Sequence, residues 1–384
     1  MPALARLTLA ALLLLGAAAD ERVSAPAGTR VFEAPDAASR RLAVVDEDTE
    51  LPVLETRGAW TLVRYSAYKG WIRLDMPESE PPPRFAGPDE LARLARARRG
   101  IRGARESSLG PLRLVTDVPD GPLLAFLSRV AAALPEAYAA RFGVSAAFRS
   151  SDTVVVFARE EDYASFEDEE PVLAGLRTRG HAGRTAAFLV AGARERDEVA
   201  ALLVHELTHL LNKDAFPADL PPWLEEGMAE ELSYGRIGED GRLDPSTLRA
   251  RRRRTTGESQ TPEGRVRWVR YDVFGPEAMA GRLAARVRRH DLIPLAELLA
   301  LSPARFGAAD ARKTTYPQSA FFIRYLLEGE RGALAERFRE FLAAAAAGAA
   351  PSAPALARQM EKDVAALEHG SSAWLLTQER GARP

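Results

Sequence analysis

The chain has 384 residues, room for two or three domains, and its 52 basic and 54 acidic side chains leave a net charge of −2. That balance argues against a polybasic nucleic-acid binder or an acidic surface acting through bulk charge. There is no cysteine, which excludes disulfides, thiolate metal ligands, thiol nucleophiles and the acylated cysteine of a bacterial lipoprotein.

Residues 1–19 read as a secretory signal peptide: Arg6 supplies a positive start, Leu7–Leu15 a short apolar run, and Ala17, Ala18 and Ala19 the small residues of a cleavage site. The run is too short to span a bilayer, and no later stretch approaches the ~20 apolar residues of a spanning helix. A mature chain starting near Asp20, without a transmembrane anchor, is therefore expected in a bacterial periplasm or exterior.

Residues 22–76 alternate short β-rich runs with polar clusters, as in a small barrel, and Trp60–Arg64 has the period of a half-buried strand. Gly58-Ala59-Trp60 followed by Gly70-Trp71-Ile72 resembles the strand pair of bacterial SH3-like domains. The resemblance implies a cell-wall or peptide ligand; the residues themselves equally suit Trp60 and Trp71 as core aromatics. Residues 77–88 are a proline-rich linker of extended geometry. A second domain, 89–384, opens with a helix whose Arg93, Arg96, Arg98 and Arg99 suit a solvated face.

Between residues 111 and 196 strand and helix signals alternate. Leu112–Val118 reads as a strand, Pro122–Phe142 as a helix with Leu123, Phe126, Leu127, Val130 and Leu134 on one face, and Thr153–Ala158 as a central strand. Thr185–Val190 is a further strand, ahead of a helix from Asp197, its expected N-cap, to Leu211. His181, in the glycine-rich stretch Arg179–Arg184, reads as an exposed loop histidine.

The second helix carries the chemistry. His205, Glu206 and His209 form H-E-x-x-H, and residues i and i+4 share a helix face, so both imidazoles can bind one ion. Glu206 then stands beside that ion, placed to take a proton from a metal-bound water. A catalytic zinc needs a third protein ligand. Glu226, 17 positions after His209 and at the start of the helical stretch Trp223–Leu232, is the best candidate.

HELTH followed by PPWLEEGMAEE resembles the gluzincin zinc peptidases, in particular the bacterial peptidase MA-like group, and more distantly the zinc aminopeptidases with their W-L-x-E-G segment. The resemblance covers roughly residues 110–345. It implies an α+β chain with a thermolysin/gluzincin-like catalytic domain: a mixed sheet, zinc-binding helices and a helical C-terminal part. It also implies one zinc ion per chain and a peptide or protein substrate. The glutamate before the glycine is the ligand in that pattern, which selects Glu226 over Glu225. Glu230, one turn later, matches the acid that orients the first histidine, here His205; as a plain helix residue it is equally a surface glutamate.

The resemblance also implies that the strand ahead of the zinc helix borders the cleft, with Ala187, Phe188 and Leu189 as candidates for main-chain pairing to substrate. In the same pattern Tyr316, at the start of TYPQSAFFIRYLLEGE, hydrogen-bonds the developing oxyanion. Tyr325 lies in the apolar stripe with Phe321 and Phe322 and reads as core.

Residues 236–270 read as a solvated polar insertion. The arginine run from Arg249 to Arg254 has no interleaved aromatics and no nucleic-acid motif around it, so nucleic acid is not an expected partner. The remainder is helical, in stretches around Leu283–Val287, Leu292–Leu301, Tyr316–Glu328, Ala333–Ala347 and Ala355–Leu367, and His290 and His369 match no motif. No aminopeptidase-type G-x-M-E-N motif is present, which favours an endopeptidase. Two other readings stay open: a zinc-bearing envelope protein with little turnover, and a zinc hydrolase of a non-peptide bond.

Overall fold

The computed structural model describes residues 22–26, 29–36, 39, 41–45, 49–65, 68–74, 88–101, 103–149, 151–169, 179–183, 185–249, 251–261, 264–308 and 311–381. The expected signal peptide and residues 77–87 of the expected linker lie outside them. The chain divides at residues 80/81 into two compact units.

The first unit contains β1 (Arg22–Ala25), β2 (Arg30–Phe32), β3 (Arg41–Val44), β4 (Thr49–Arg57), β5 (Trp60–Tyr65) and β6 (Tyr68–Ile72). They form one antiparallel sheet in the order β1-β4-β5-β6-β2-β3. β1 and β3 end the sheet, and no pairing joins them among the described residues, so an open sheet stands where a closed barrel was expected. The end strands have four residues each, and β2 meets β6 through the single pair Phe32–Trp71, too short a ladder for the stagger that closure requires. Val31, Leu51, Val63 and Ile72 bury a common core. Trp71 is buried under the Arg57 guanidinium, 5.0 Å from its ring, and half-buried Trp60 stands edge-on to Phe32 at 5.5 Å. Packing thus accounts for both tryptophans. A side chain at Gly70 would come within 2.9 Å of the Phe32 carbonyl, which explains the glycine before Trp71.

The second unit begins with α1 (Pro88–Gly100), β7 (Arg105–Leu109), β8 (Leu112–Thr116), α2 (Gly121–Phe142), β9 (Thr153–Phe157) and α3 (Glu160–Asp168). β10 (Gly180–Ala182), β11 (Ala186–Val190), α4 (Arg196–Ala215) and α5 (Pro222–Ser233) follow. The sheet order is β10-β11-β9-β8-β7; β11, β9 and β8 are parallel, and the two edge strands run against them. Both faces are covered, which is why β9 and β11 are continuously apolar. Val154, Val156, Ala187 and Leu189 face the core shared with α2 and α4. Val155, Phe157, Phe188 and Val190 face α1 and α3 through Ala97, Ile101, Tyr163 and Phe166.

Asp120 caps α2 by accepting the Leu123 N–H at 3.0 Å. Contrary to expectation, α2 is long and apolar enough to cross a membrane by composition; here Phe126, Leu127, Val130, Leu134 and Phe142 are buried in the core. The N-cap of α4 is Glu195 rather than Asp197. Asp197 sits in the first turn beside Arg196 at 3.0 Å, where a carboxylate still favours the helix dipole.

Beyond α5 come β12 (Gly235–Ile237), β13 (Leu243–Leu248), β14 (Arg251–Thr261) and β15 (Gly264–Phe274). The polar stretch read as an insertion therefore forms two antiparallel hairpins; the side chains of residues 251–274, most of the arginine run included, lie outside the described ones. The rest is helical: α6 (Pro276–Arg288), α7 (Leu295–Leu299), α8 (Pro303–Phe306), α9 (Arg312–Glu328), α10 (Ala335–Ala346), α11 (Ala353–Met360) and α12 (Val364–Gly381). The stretch read as one helix from Ala355 to Leu367 is two. Glu361 takes a left-handed conformation (φ 53°), and Asp363 caps the restart by accepting the Ala366 N–H at 2.7 Å. The chain is thus α+β, with a mixed sheet and a helical C-terminal part.

Candidate metal centre

α4 buries Val199, Leu203, Val204, Leu207, Leu210 and Leu211 in the main core, and turns His205 and His209 towards α5. The turn between them ends on Pro221 and Pro222, whose fixed φ suits the first residues of α5. α5 buries Trp223, Leu224, Met228, Ala229 and Leu232, leaving Glu225, Glu226 and Glu230 on the side of the histidines. Gly227 lets α9 close in: a Cβ there would stand 2.7 Å from Ile323 Cδ1 and 3.2 Å from Ser319. This is the physical content of the glycine after Glu226. The close crossing places Tyr316, on α9, in the same cleft as Glu226, near enough for the carboxylate charge to act on the phenol.

Three donor atoms converge. The His205 and His209 Nε2 atoms are 3.3 Å apart, and Glu226 Oε2 lies 3.4 Å from the first and 3.6 Å from the second. Ligands ~2.0–2.1 Å from a tetrahedral zinc are separated by about 3.3–3.4 Å, so the spacing suits such an ion. Glu226 Oε2 is buried and makes no hydrogen bond. These atoms form a three-residue group able to hold a metal.

Each histidine is held from behind. His209 Nδ1 lies 2.9 Å from Glu225 Oε1. His205 Nδ1 faces Glu230 Oε1 at 3.9 Å, and burial with the Glu230 charge pushes the Tyr234 phenol up. Glu230, expected behind His205, lies on its side at 3.9 Å, while Glu225, set aside in choosing the ligand, is the residue within hydrogen-bond distance of a histidine, His209 at 2.9 Å. Burial pulls the His205 imidazole down, but Glu226, Glu230 and Glu206 outweigh it and hold it up at about 10. Burial also pushes the Tyr316 phenol up, with the Glu226 charge adding to it. Metal binding requires both imidazoles neutral, and a cation among these carboxylates would take the place of the protons.

Glu206 is 2% exposed. Burial raises its carboxyl to about 7, against the pull of His205 and His209, and Oε2 makes no hydrogen bond. A Cβ on Gly180 would stand 2.5 Å from Glu206 Oε1, so the edge strand β10 touches the carboxylate where it has no side chain.

β10 corrects two expectations. Ala187, Phe188 and Leu189 are fully buried, and β11 is paired on both sides, with β10 and β9, so it has no free edge for a substrate. The strand bordering the cleft is β10, with Arg179, Gly180, His181, Ala182 and Gly183 along it. His181 is not an exposed loop residue. It is half-buried in β10, its ring stacked 4.7 Å from Phe188 and 5.6 Å from Phe166, with the Tyr163 hydroxyl 3.2 Å from Nδ1. Burial lowers its pKa to about 3. Three residues form this strand because β11 offers them a partner, a pairing that local composition does not signal. As expected, Tyr325 is buried core.

The donors lie in a cleft of about 1000 Å³, bounded by β10, α4, α5, α6 and the start of α9. A group of this kind can bind a divalent ion, hold a base beside it and admit an extended ligand. No protein-family model matches the chain, and no curated protein is similar to it.

Proposed function

We propose that the second unit is a gluzincin-type zinc metallopeptidase, exported to the periplasm or exterior, that hydrolyses peptide bonds, preferably within a chain. One observation carries the reading: His205, His209 and Glu226 present three donors at the mutual distances of a tetrahedral site, with the buried Glu206 beside them in an open cleft. A structural zinc site is closed by four protein ligands, whereas three donors and an adjacent base suit catalysis.

His205, His209 and Glu226 would hold the ion, oriented by Glu230 and Glu225. When bound, zinc polarises a carbonyl and lowers the pKa of a coordinated water towards ~7. Glu206, raised to about 7, takes the proton from the attacking water and passes it to the leaving amine. The Tyr316 hydroxyl, which lines the cleft with Glu226, would donate to the developing oxyanion. β10 offers its outer edge to an extended peptide, whose backbone would extend the sheet. The first unit, by its resemblance to SH3-like domains, would carry a cell-wall or peptide ligand.

The test is cleavage of a diverse peptide library by the full chain, with Glu206→Gln as control. Cleavage should fall by about 10²–10⁴-fold in the variant, with bound zinc retained. Equal cleavage by both proteins, or no zinc in either, would overturn the proposal.

A further inference from the structure

Among the described residues, the cleft walls carry cations without a carboxylate partner. Of the basic residues lining it, Lys213 pairs with Asp219 at 3.1 Å and Arg194 with Glu160 at 2.8 Å. Arg249 is held by the Asp197 and Ser233 carbonyls, both at 3.4 Å. Arg179, Arg282, Arg312 and its exposed neighbour Lys313 are different: none has a carboxylate partner among the described residues. Arg282 reaches only the Met279 sulfur, at 3.5 Å.

Each of the three arginines lines the cleft that holds the centre. Arg179 precedes Gly180, the residue against Glu206. Arg312 is one helical turn before Tyr316 on α9, and both line the cleft. Arg282, on α6, lines the cleft beside Met279 and Tyr234. They come from three separate places, the residue before β10, α6 and α9, and line the same cleft as the donors. The acids lining the same cleft are Glu198, Glu206, Glu225, Glu226 and Glu230; the last three face the histidines, and none of the five pairs with these arginines among the described residues.

We infer that the cleft selects peptides bearing acidic side chains on the residues flanking the bond to be cut, with Arg179, Arg282 and Arg312 as specificity-determining residues; this rests on the peptidase reading above. Several single cations spread around the centre suit an extended chain with separated carboxylates. In a cleft with low-dielectric walls such charges concentrate substrate of opposite sign and select against the same sign.

The experiment uses the zinc-loaded full chain and two C-terminally amidated peptides, built on a sequence cleaved in the library, that differ only in Asp/Glu against Asn/Gln around the scissile bond. Wild type is assayed for kcat/KM, and Glu206→Gln for binding by fluorescence anisotropy. The acidic peptide is expected to be favoured about tenfold in both assays at low salt, with the preference shrinking as salt rises. Arg282→Gln with Arg312→Gln should bring the ratio towards one. Arg305→Gln, an exposed cation of α8 outside the cleft, should leave it as in wild type. Equal kcat/KM for the two peptides overturns the inference while the peptidase reading stands. A ratio unchanged in the double variant while zinc affinity falls also overturns it, because the arginines then only balance the acids of the metal site. A preference seen only with a free C-terminus reassigns the recognised carboxylate to the chain end and overturns the side-chain assignment. No cleavage and no binding of either peptide overturns both readings.

Discussion

Glu230 and Glu231 are neighbours on α5 and belong to opposite electrostatic designs. Glu231 is 1% exposed and meets the Arg141 and Arg324 guanidiniums, 3.1 and 3.3 Å from its Oε1, and both arginines also reach Glu328. Two cations face two anions, and the charge is balanced within the chain. On the other side, Glu226, Glu225 and Glu230 face two histidines with no arginine or lysine paired to them among the described residues. Carboxylates so enclosed favour a cation, and the paired imidazole nitrogens give that cation the ligands of zinc. The back of α5 is closed by ion pairs of the fold itself; the front has no directly paired arginine or lysine among the described residues and suits an added cation.

The comparison can be broken from either side. Glu231→Gln should have the largest effect, leaving two buried guanidiniums short of an anion and costing about 3–5 kcal/mol of stability. Denaturant midpoints would measure this, and the loss should be the same with and without zinc; a loss that zinc repairs would contradict the division between the two faces. Next comes the ion. Zinc at about 100 times its Kd should stabilise wild type by about 2.7 kcal/mol, read as a rise in Tm that a chelator reverses. His205→Ala should remove that rise, and full zinc retention by this variant would remove the histidine from the ligand set. Smaller still is Glu225→Ala. Without the carboxylate behind His209, zinc affinity should fall by about 10–100-fold, measured by competition with a chelating dye. Unchanged affinity would reduce Glu225 to a packing role.

The parts of the site legible in the sequence are those a single helix determines. His205, Glu206 and His209 lie within one turn and a half of α4, and Glu226 and Glu230 are one turn apart on α5, so periodicity alone puts each set on one face. Which glutamate of α5 would meet which histidine depends on the crossing of two helices, and Glu225 was therefore passed over as a partner of His209. The same limit applies to the sheet. The apolar runs of β9 and β11 were plain, but their neighbours were not, and β11 was expected at the rim that β10 occupies. His181 looked like a loop residue because glycines flank it; the strand exists through pairing to β11 and the ring stack on Phe188. In the first unit the strands were readable and the open edge was not, since closure depends on ladder length and stagger.

By itself, then, the sequence determined the elements, their buried faces and the residue types that can bind a metal, because these follow from periods of 3.6 and 2 and from side-chain chemistry. Tertiary structure alone decided the third dimension of the site: the gap between α4 and α5 that brings three donors within 3.3–3.6 Å, the α5–α9 contact permitted by Gly227, and the edge strand laid against Glu206. Those distances are set by packing between segments distant along the chain, and no local pattern encodes them.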